Sequence, residues 1–242
     1  MLKPIIYTFW TGDNEMSDSR KRCFETMKKN SGCEIKLITK ETLYEYIPKE
    51  KMHPAYQYLN LAHKADYLRC FFMHHIGGGY SDIKGINHSW IGSFDKLNSN
   101  VNILAMGYQE VGRWGIGNIY KSSVLLKQTH IKRLYYWLKY RWFQLNYKKI
   151  IGNGAFICKP KTSFTTQWWD TINSRLDSLY ADLLKNPAKY PKDYKGNMFE
   201  GKVSTYAVPW SYILADIFQP LSFKFNRSID KTLPPPSFKD YQ

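Results

Sequence analysis

The side chains with most chemical capacity fall close together in the first third of the chain. Asp66 and Arg69 stand three apart, and the run Gly77-Gly78-Gly79-Tyr80-Ser81-Asp82-Ile83-Lys84-Gly85 follows. Carboxylates set beside fixed cations can hold sugar hydroxyls in register and neutralise a diphosphate whose negative charge grows as a bond to it breaks. A carboxylate on a short strand also offers oxygen ligands of the kind that Mg2+ and Mn2+ prefer. Three glycines ahead of it would let the backbone approach a ligand without Cβ obstruction. Each part has a plainer use as well. Asp66 and Arg69 make an ordinary i,i+3 helix ion pair, Gly77 suits a helix C-cap, and Asp82 suits a turn while Lys84 sits in solvent. It is the order and spacing of all of them together that points to a site.

The elements that must position these groups are legible from periodicity. Ile5 to Trp10 reads as a buried strand closed by the turn Thr11-Gly12-Asp13-Asn14; a helix follows from Ser17 to about Asn30, then a strand from Glu34 to Ile38. This β-α-β order predicts an α/β fold with a mainly parallel central sheet flanked by helices, whose ligands sit at the carboxyl ends of the strands. Tyr58, Leu61, Ala65, Leu68 and Phe72 predict a helix from Pro54 to Gly77, which delivers the chain to the glycine run and a strand from Tyr80 to Lys84. Further strands are expected at Val101 to Tyr108 and Ala155 to Lys159. Further helices are expected near Ser123 to Asn146, Thr162 to Leu184 and Trp210 to Phe218. Neither a repeat nor a linker divides the 242 residues, so one domain spanning 1–242 is expected, with 225–242, which holds Pro234-Pro235-Pro236, as an irregular tail.

The segment His63 to Gly85, HKADYLRCFFMHHIGGGYSDIKG, resembles the region around the Asp-x-Asp motif in the capsular-polysaccharide-synthesis and DXD-sugar-binding glycosyltransferases. Asp66 and Arg69 match that family's helix pair, Gly77 to Tyr80 its glycine turn, and Asp82 its first acid, while Thr8-Phe9-Trp10 looks like the end of its opening strand. The resemblance implies a GT-A, Rossmann-like fold and transfer of a hexose or N-acetylhexosamine from a nucleotide diphosphate sugar, UDP foremost, with a lean to retention over inversion. The implied acceptor is a surface polysaccharide, a lipopolysaccharide or a lipid-linked oligosaccharide. It further implies donor contacts at Thr8, Trp10, Asp66, Arg69, Gly78, Gly79, Tyr80, Asp82 and Lys84, with Asp82 and Lys84 nearest the chemistry. Asn153 and Gly154 fall on the sugar or acceptor side. One position departs from the pattern, because Lys84 stands where the second acid belongs. An ammonium cannot bind Mn2+ or Mg2+, so two outcomes follow: Lys84 itself meets the diphosphate and no metal is used, or Asp82 holds an ion with an acid or histidine from elsewhere.

Glu110 and Glu200 are candidate bases for an inverting reaction. His53, His74 and His75 lack zinc-ligand spacing and read as structural, and four scattered cysteines read as reduced thiols. The formal net charge is +15, and between Glu110 and Asp170 no acid occurs at all. An anionic partner follows. Within Ile131 to Leu145, one helical face gathers Ile131, Leu134, Leu138, Trp142 and Leu145, which reads as core. A second gathers Tyr136, Tyr140, Phe143 and Tyr147 beside Lys132 and Lys139, which suits an anionic membrane surface along 131–149 or a helix packed on both sides. A basic, aromatic-rich chain also fits a nucleic-acid-binding protein, but no zinc finger, RNP signature or basic zipper is present and no nucleic-acid partner is expected. A catalytically silent, sugar-nucleotide-binding relative stays open because of Lys84. With no apolar run near the length of a membrane span, the expected location is the cytoplasm, as a peripheral protein on the inner membrane face.

Overall fold

In the computed structural model, which describes residues 1–239, Ile5–Trp10 forms β1 and Glu34–Thr39 forms β2, joined by helix α1, Asp18–Asn30. Ser17 caps α1 by accepting the Arg20 amide. After a short helix α2, Leu43–Tyr46, the chain reaches α3, Leu61–His75, and β3, Gly78–Ser81. Next come α4, Ile91–Ser99; β4, Ala105–Gln109; α5, Ile119–Leu125; and α6, His130–Leu145. Strand β5, Ile151–Cys158, and the long helix α7, Ser163–Lys185, precede a small hairpin of β6, Met198–Phe199, and β7, Lys202–Val203. Helix α8, Ala215–Lys224, and β8, Ile229–Asp230, complete the order.

Six strands make one sheet in the order β2-β1-β3-β5-β4-β8. β5 alone runs against the others, pairing antiparallel with both β3 and β4, while the remaining pairings are parallel. The expected α/β fold, mainly parallel and flanked by helices, is the one observed. Strand alternation sends Tyr7 and Phe156 to one face, where they meet Phe72, Trp168 and Phe218 of α3, α7 and α8. Ile6 and Ile157 go to the other, against Met27, Trp90 and Phe94.

Several boundaries differ from expectation, each for a local reason. α3 begins at Leu61 rather than Pro54, because Pro54–Tyr58 closes as a 3-10 turn and the Asn60 side chain accepts the His63 amide at 2.6 Å as the true N-cap. β3 ends at Ser81, so Asp82 and Lys84 lie just beyond the strand. β4 starts at Ala105 instead of Val101, after a turn in which Asn100 Oδ1 accepts the Asn102 amide. The helix expected from Ser123 to Asn146 is two helices, broken where Lys127 takes φ 53° and Thr129 starts a new cap. Trp210 lies in a turn, and α8 starts later, at Ala215. β5 opens four residues early, at Ile151. The tail is not wholly irregular: Ile229 pairs with Ala105 and extends the sheet. Of the tail, residues 240–242 lie outside the described residues. Among the described residues no helix is long and apolar enough to cross a membrane.

Candidate active site

β1 and β3 are parallel neighbours, so their carboxyl ends open side by side. A cavity of about 930 Å³ lies there, walled by Thr8 to Gly12 on one side and by Tyr80, Asp82, Ile83 and Lys84 on the other. α3 supplies Leu61, Ala65 and Arg69 to its wall, the start of α1 supplies Ser17 and Arg20, and distant loops add Pro191, Lys192 and Trp210.

Asp82 is the hub. Its Oδ1 accepts the Tyr80 hydroxyl at 2.5 Å and lies 3.6 Å from Arg69 Nη2; its Oδ2 lies 3.1 Å from Lys84 Nζ. Its amide donates to Gly154 O at 2.8 Å, which fixes the backbone. Burial works to raise the carboxyl's pKa, but Arg69, Lys84 and the Tyr80 hydroxyl outweigh it and hold the group below its ordinary value. Asp66 is deeper. Burial raises its pKa to about 7, Arg69 at 3.2 Å opposing and Asp82 adding to the rise. Arg69 is buried between the two acids, stacks over the Tyr80 ring at 4.5 Å and donates from Nη1 to Asn153 O at 2.9 Å. The ion pair on α3 is present, and Arg69 lines the cavity while Asp66, expected at the donor, lies behind it and does not.

Thr8 lines the cavity with its hydroxyl buried and without a hydrogen-bond partner. Trp10 also lines it, its indole N–H donating to Asn14 O at 2.7 Å, which sets the ring's tilt. The two glycines fare differently. Gly78 and Gly79 are buried in β3 and do not line the cavity. A Cβ on Gly78 would stand 3.2 Å from Ile5 O, and one on Gly79 3.0 Å from Ile6 Cγ1. Their smallness therefore serves the close approach of β3 to β1, not a ligand, and the expected donor contacts there are corrected. Asn153 and Gly154 likewise do not line the cavity; they brace Arg69 and Asp82 from behind through their carbonyls. Of the two candidate bases, Glu110 is buried, accepts the Val111 amide at 3.0 Å and does not line the cavity, although Lys84 on the cavity wall acts to lower its pKa against the larger effect of burial. Glu200 is exposed at the tip of the β6–β7 hairpin with φ 49°. Neither lines the cavity. His74 and His75 pack on Trp169, and His53 pairs with Asp177, as structural residues.

Sequence reasoning missed four contributors. Arg20 lies in the first turn of α1, where an acid would suit the helix dipole better; that misfit was the available signal. Arg20 Nη1 donates to Ile83 O at 2.6 Å. Lys192 and Trp210 arrive from loops with no local signature. Trp210 is held by buried His63, whose Nε2 pairs with the Trp210 carbonyl at 3.1 Å and whose Nδ1 pairs with the Tyr206 hydroxyl at 3.1 Å. Phe238, in the tail, lies over Lys84 at 5.0 Å and edge-on to Tyr108, so the tail covers one side of the site.

Both oxygens of Asp82 are engaged by cations or a hydroxyl, the neighbouring position is an ammonium, and no cluster of three or more His, Cys, Asp or Glu residues suited to a metal occurs among the described residues.

The segment that builds this site coincides with a family match. Residues 1–86 match the sequence model of the capsular polysaccharide synthesis proteins. The matched stretch runs from β1 through Gly85 and carries Thr8, Trp10, Asp66, Arg69, Asp82 and Lys84, so the resemblance drawn from His63 to Gly85 holds there. A solved structure titled PaToxG Glycosyltransferase aligns with 76% of this chain at 13% identity and a TM-score of 0.43, and the chain spans 64% of that structure. No curated protein matches the chain.

Proposed function

We propose that the protein is a glycosyltransferase that moves a hexosyl or N-acetylhexosaminyl unit from a nucleotide diphosphate sugar to a glycan or lipid-linked acceptor. The observation that carries this reading is Asp82, a partly exposed carboxylate held ionised at the end of β3 within a cavity large enough for such a donor. Thr8 and Trp10, at the end of β1, suit the base and ribose. Asp82 suits the sugar hydroxyls, as a carboxylate fixed by Arg69 and Tyr80 accepts their hydrogen bonds without reorganising. Lys84, with Arg20 and Lys192 also on the wall, supplies positive charge for the diphosphate as it departs. On this reading Lys84 takes the role of the metal ion itself, as a point charge on the diphosphate, and the reaction needs no divalent ion. Retention suits the site better than inversion. An inverting reaction needs a general base, and Asp82, with its pKa held low, is a weak one.

The test is a thermal-shift screen of nucleotide diphosphate sugars in excess chelator, followed by donor turnover with the ligand that raises the melting temperature. Asp82→Ala is expected to abolish turnover while melting within a few degrees of the parent. An active Asp82→Ala protein would refute the assignment.

A further inference from the structure

Helix α6 turns its apolar stripe outward. Ile131, Leu134, Leu138, Trp142 and Leu145 share about 80° of arc on a 3.6-residue repeat, the face the sequence suggested as core. They are 83%, 58%, 55%, 54% and 79% exposed. The face expected to meet a membrane is the one that packs inward: Phe143 and Gln144 are buried, and Tyr140 and Tyr147 pack with Phe143, Ile116 and Ile150. The two faces are therefore reversed from expectation. Lys132 and Lys139 flank one edge of the outward stripe and Arg141 the other. The apolar surface continues into a groove of about 780 Å³ between α6 and α8, where Leu138 and Trp142 face Pro220 and Leu221. On the loop after β4, Trp114 is 80% exposed. Gln144 ties that loop to α6 by donating to Arg113 O at 3.4 Å.

We infer that α6 forms a docking face for an anionic lipid bilayer, with the Ile131–Leu145 stripe entering the headgroup boundary and the flanking cations meeting lipid phosphates. An outward apolar stripe with Trp and Tyr, edged by Lys and Arg, is the pattern of a helix lying in a membrane interface. Charge decides the occupant. α6 holds Lys132, Arg133, Lys139 and Arg141 and no acid, so a second copy docked symmetrically on this face would set like charge against like. A nucleic acid would find branched aliphatic side chains at the centre of the contact rather than cations. This inference is independent of the proposed catalytic activity.

Co-sedimentation of the full chain with vesicles tests it, using phosphatidylcholine alone and an equal mixture of phosphatidylcholine and phosphatidylglycerol. Binding is expected only to the anionic vesicles. It should weaken as salt rises from about 0.1 M to about 1 M and the screening length falls from about 10 Å to about 3 Å. Leu138→Glu with Trp142→Glu should weaken it at least tenfold, and Lys132→Ala and Arg141→Ala about fivefold each. All four residues lie on α6 away from the catalytic cavity, and melting curves check that the variants fold. Lys28→Ala with Lys29→Ala, on α1, removes two charges elsewhere, more than either single α6 variant, and should leave binding unchanged. Absent binding to anionic vesicles, binding indifferent to the α6 variants, or an equal loss in the α1 variant would overturn the inference. So would a dimer that Leu138→Glu dissociates in the absence of any lipid binding, since a second copy would then own the stripe.

Discussion

Replacing Lys84 by Met removes the ammonium 3.1 Å from Asp82 Oδ2 and keeps a side chain of similar length. At that distance two unit charges attract by about 5 kcal/mol at an effective dielectric near 20. Desolvation of the partners offsets much of that, and Arg69 and the Tyr80 hydroxyl still hold Asp82 in place. The pKa of Asp82 should therefore move up, one of its three stabilising partners being lost. A diphosphate entering the cavity loses a charge-assisted hydrogen bond whose net worth is about 1.5–3 kcal/mol. Affinity for UDP should fall about 10- to 150-fold at about 1.4 kcal/mol per decade. Calorimetric titration of UDP into parent and variant, both in excess chelator, measures this. Lys84→Asp gives a complementary test, since it recreates an acid pair that can take Mn2+; UDP binding by that variant should depend on the ion. Equal UDP affinity in parent and Lys84→Met would refute the role given to Lys84. Loss of UDP binding by the parent in chelator would refute metal independence.

Gly78→Ala should cost roughly 1–3 kcal/mol of stability, because φ is 106° and the new Cβ meets Ile5 O. Denaturant unfolding would show it, and UDP affinity per folded molecule should stay the same if the glycine serves strand packing rather than the donor. His63 gives the clearest pH dependence. Burial lowers its pKa to about 4, despite the Trp210 carbonyl and Asp193 acting the other way. The unfolded chain therefore binds a proton near pH 6.5 that the folded protein refuses. Stability from this group is complete above about pH 6.5 and lost progressively as pH falls toward 4, by roughly 3 kcal/mol in all. Urea midpoints across that range, set against those of His63→Gln, would reveal it, and an unchanged slope in the variant would assign the acid sensitivity elsewhere.

The local signals fared best where one element carried its own evidence. Ile5–Trp10, the Ser17-capped α1 and Glu34–Thr39 could be read almost to the residue, because strand alternation and an N-cap are short-range properties. Asp66, Arg69 and Asp82 could be singled out because their spacing is fixed within one helix and the turn after it. The glycine run was found but given the wrong use. Whether Gly78 and Gly79 face a ligand or the Ile5–Ile6 backbone depends on which strand lies alongside, and that strand is some seventy residues away in the chain. Lys192, Trp210 and Phe238 reach the site from loops and a tail with no local pattern of their own. The same holds for α6. Its periodicity established that it has an apolar stripe, but two faces of that helix were rich in large side chains. Only the packing of Phe143 and Gln144 against the rest of the fold decided which one was left facing outward. Sequence alone thus determined the strands, the helices and the acids and cations that could do chemistry. The tertiary structure decided which of them meet, because burial is a property of neighbours that the chain brings together from far apart.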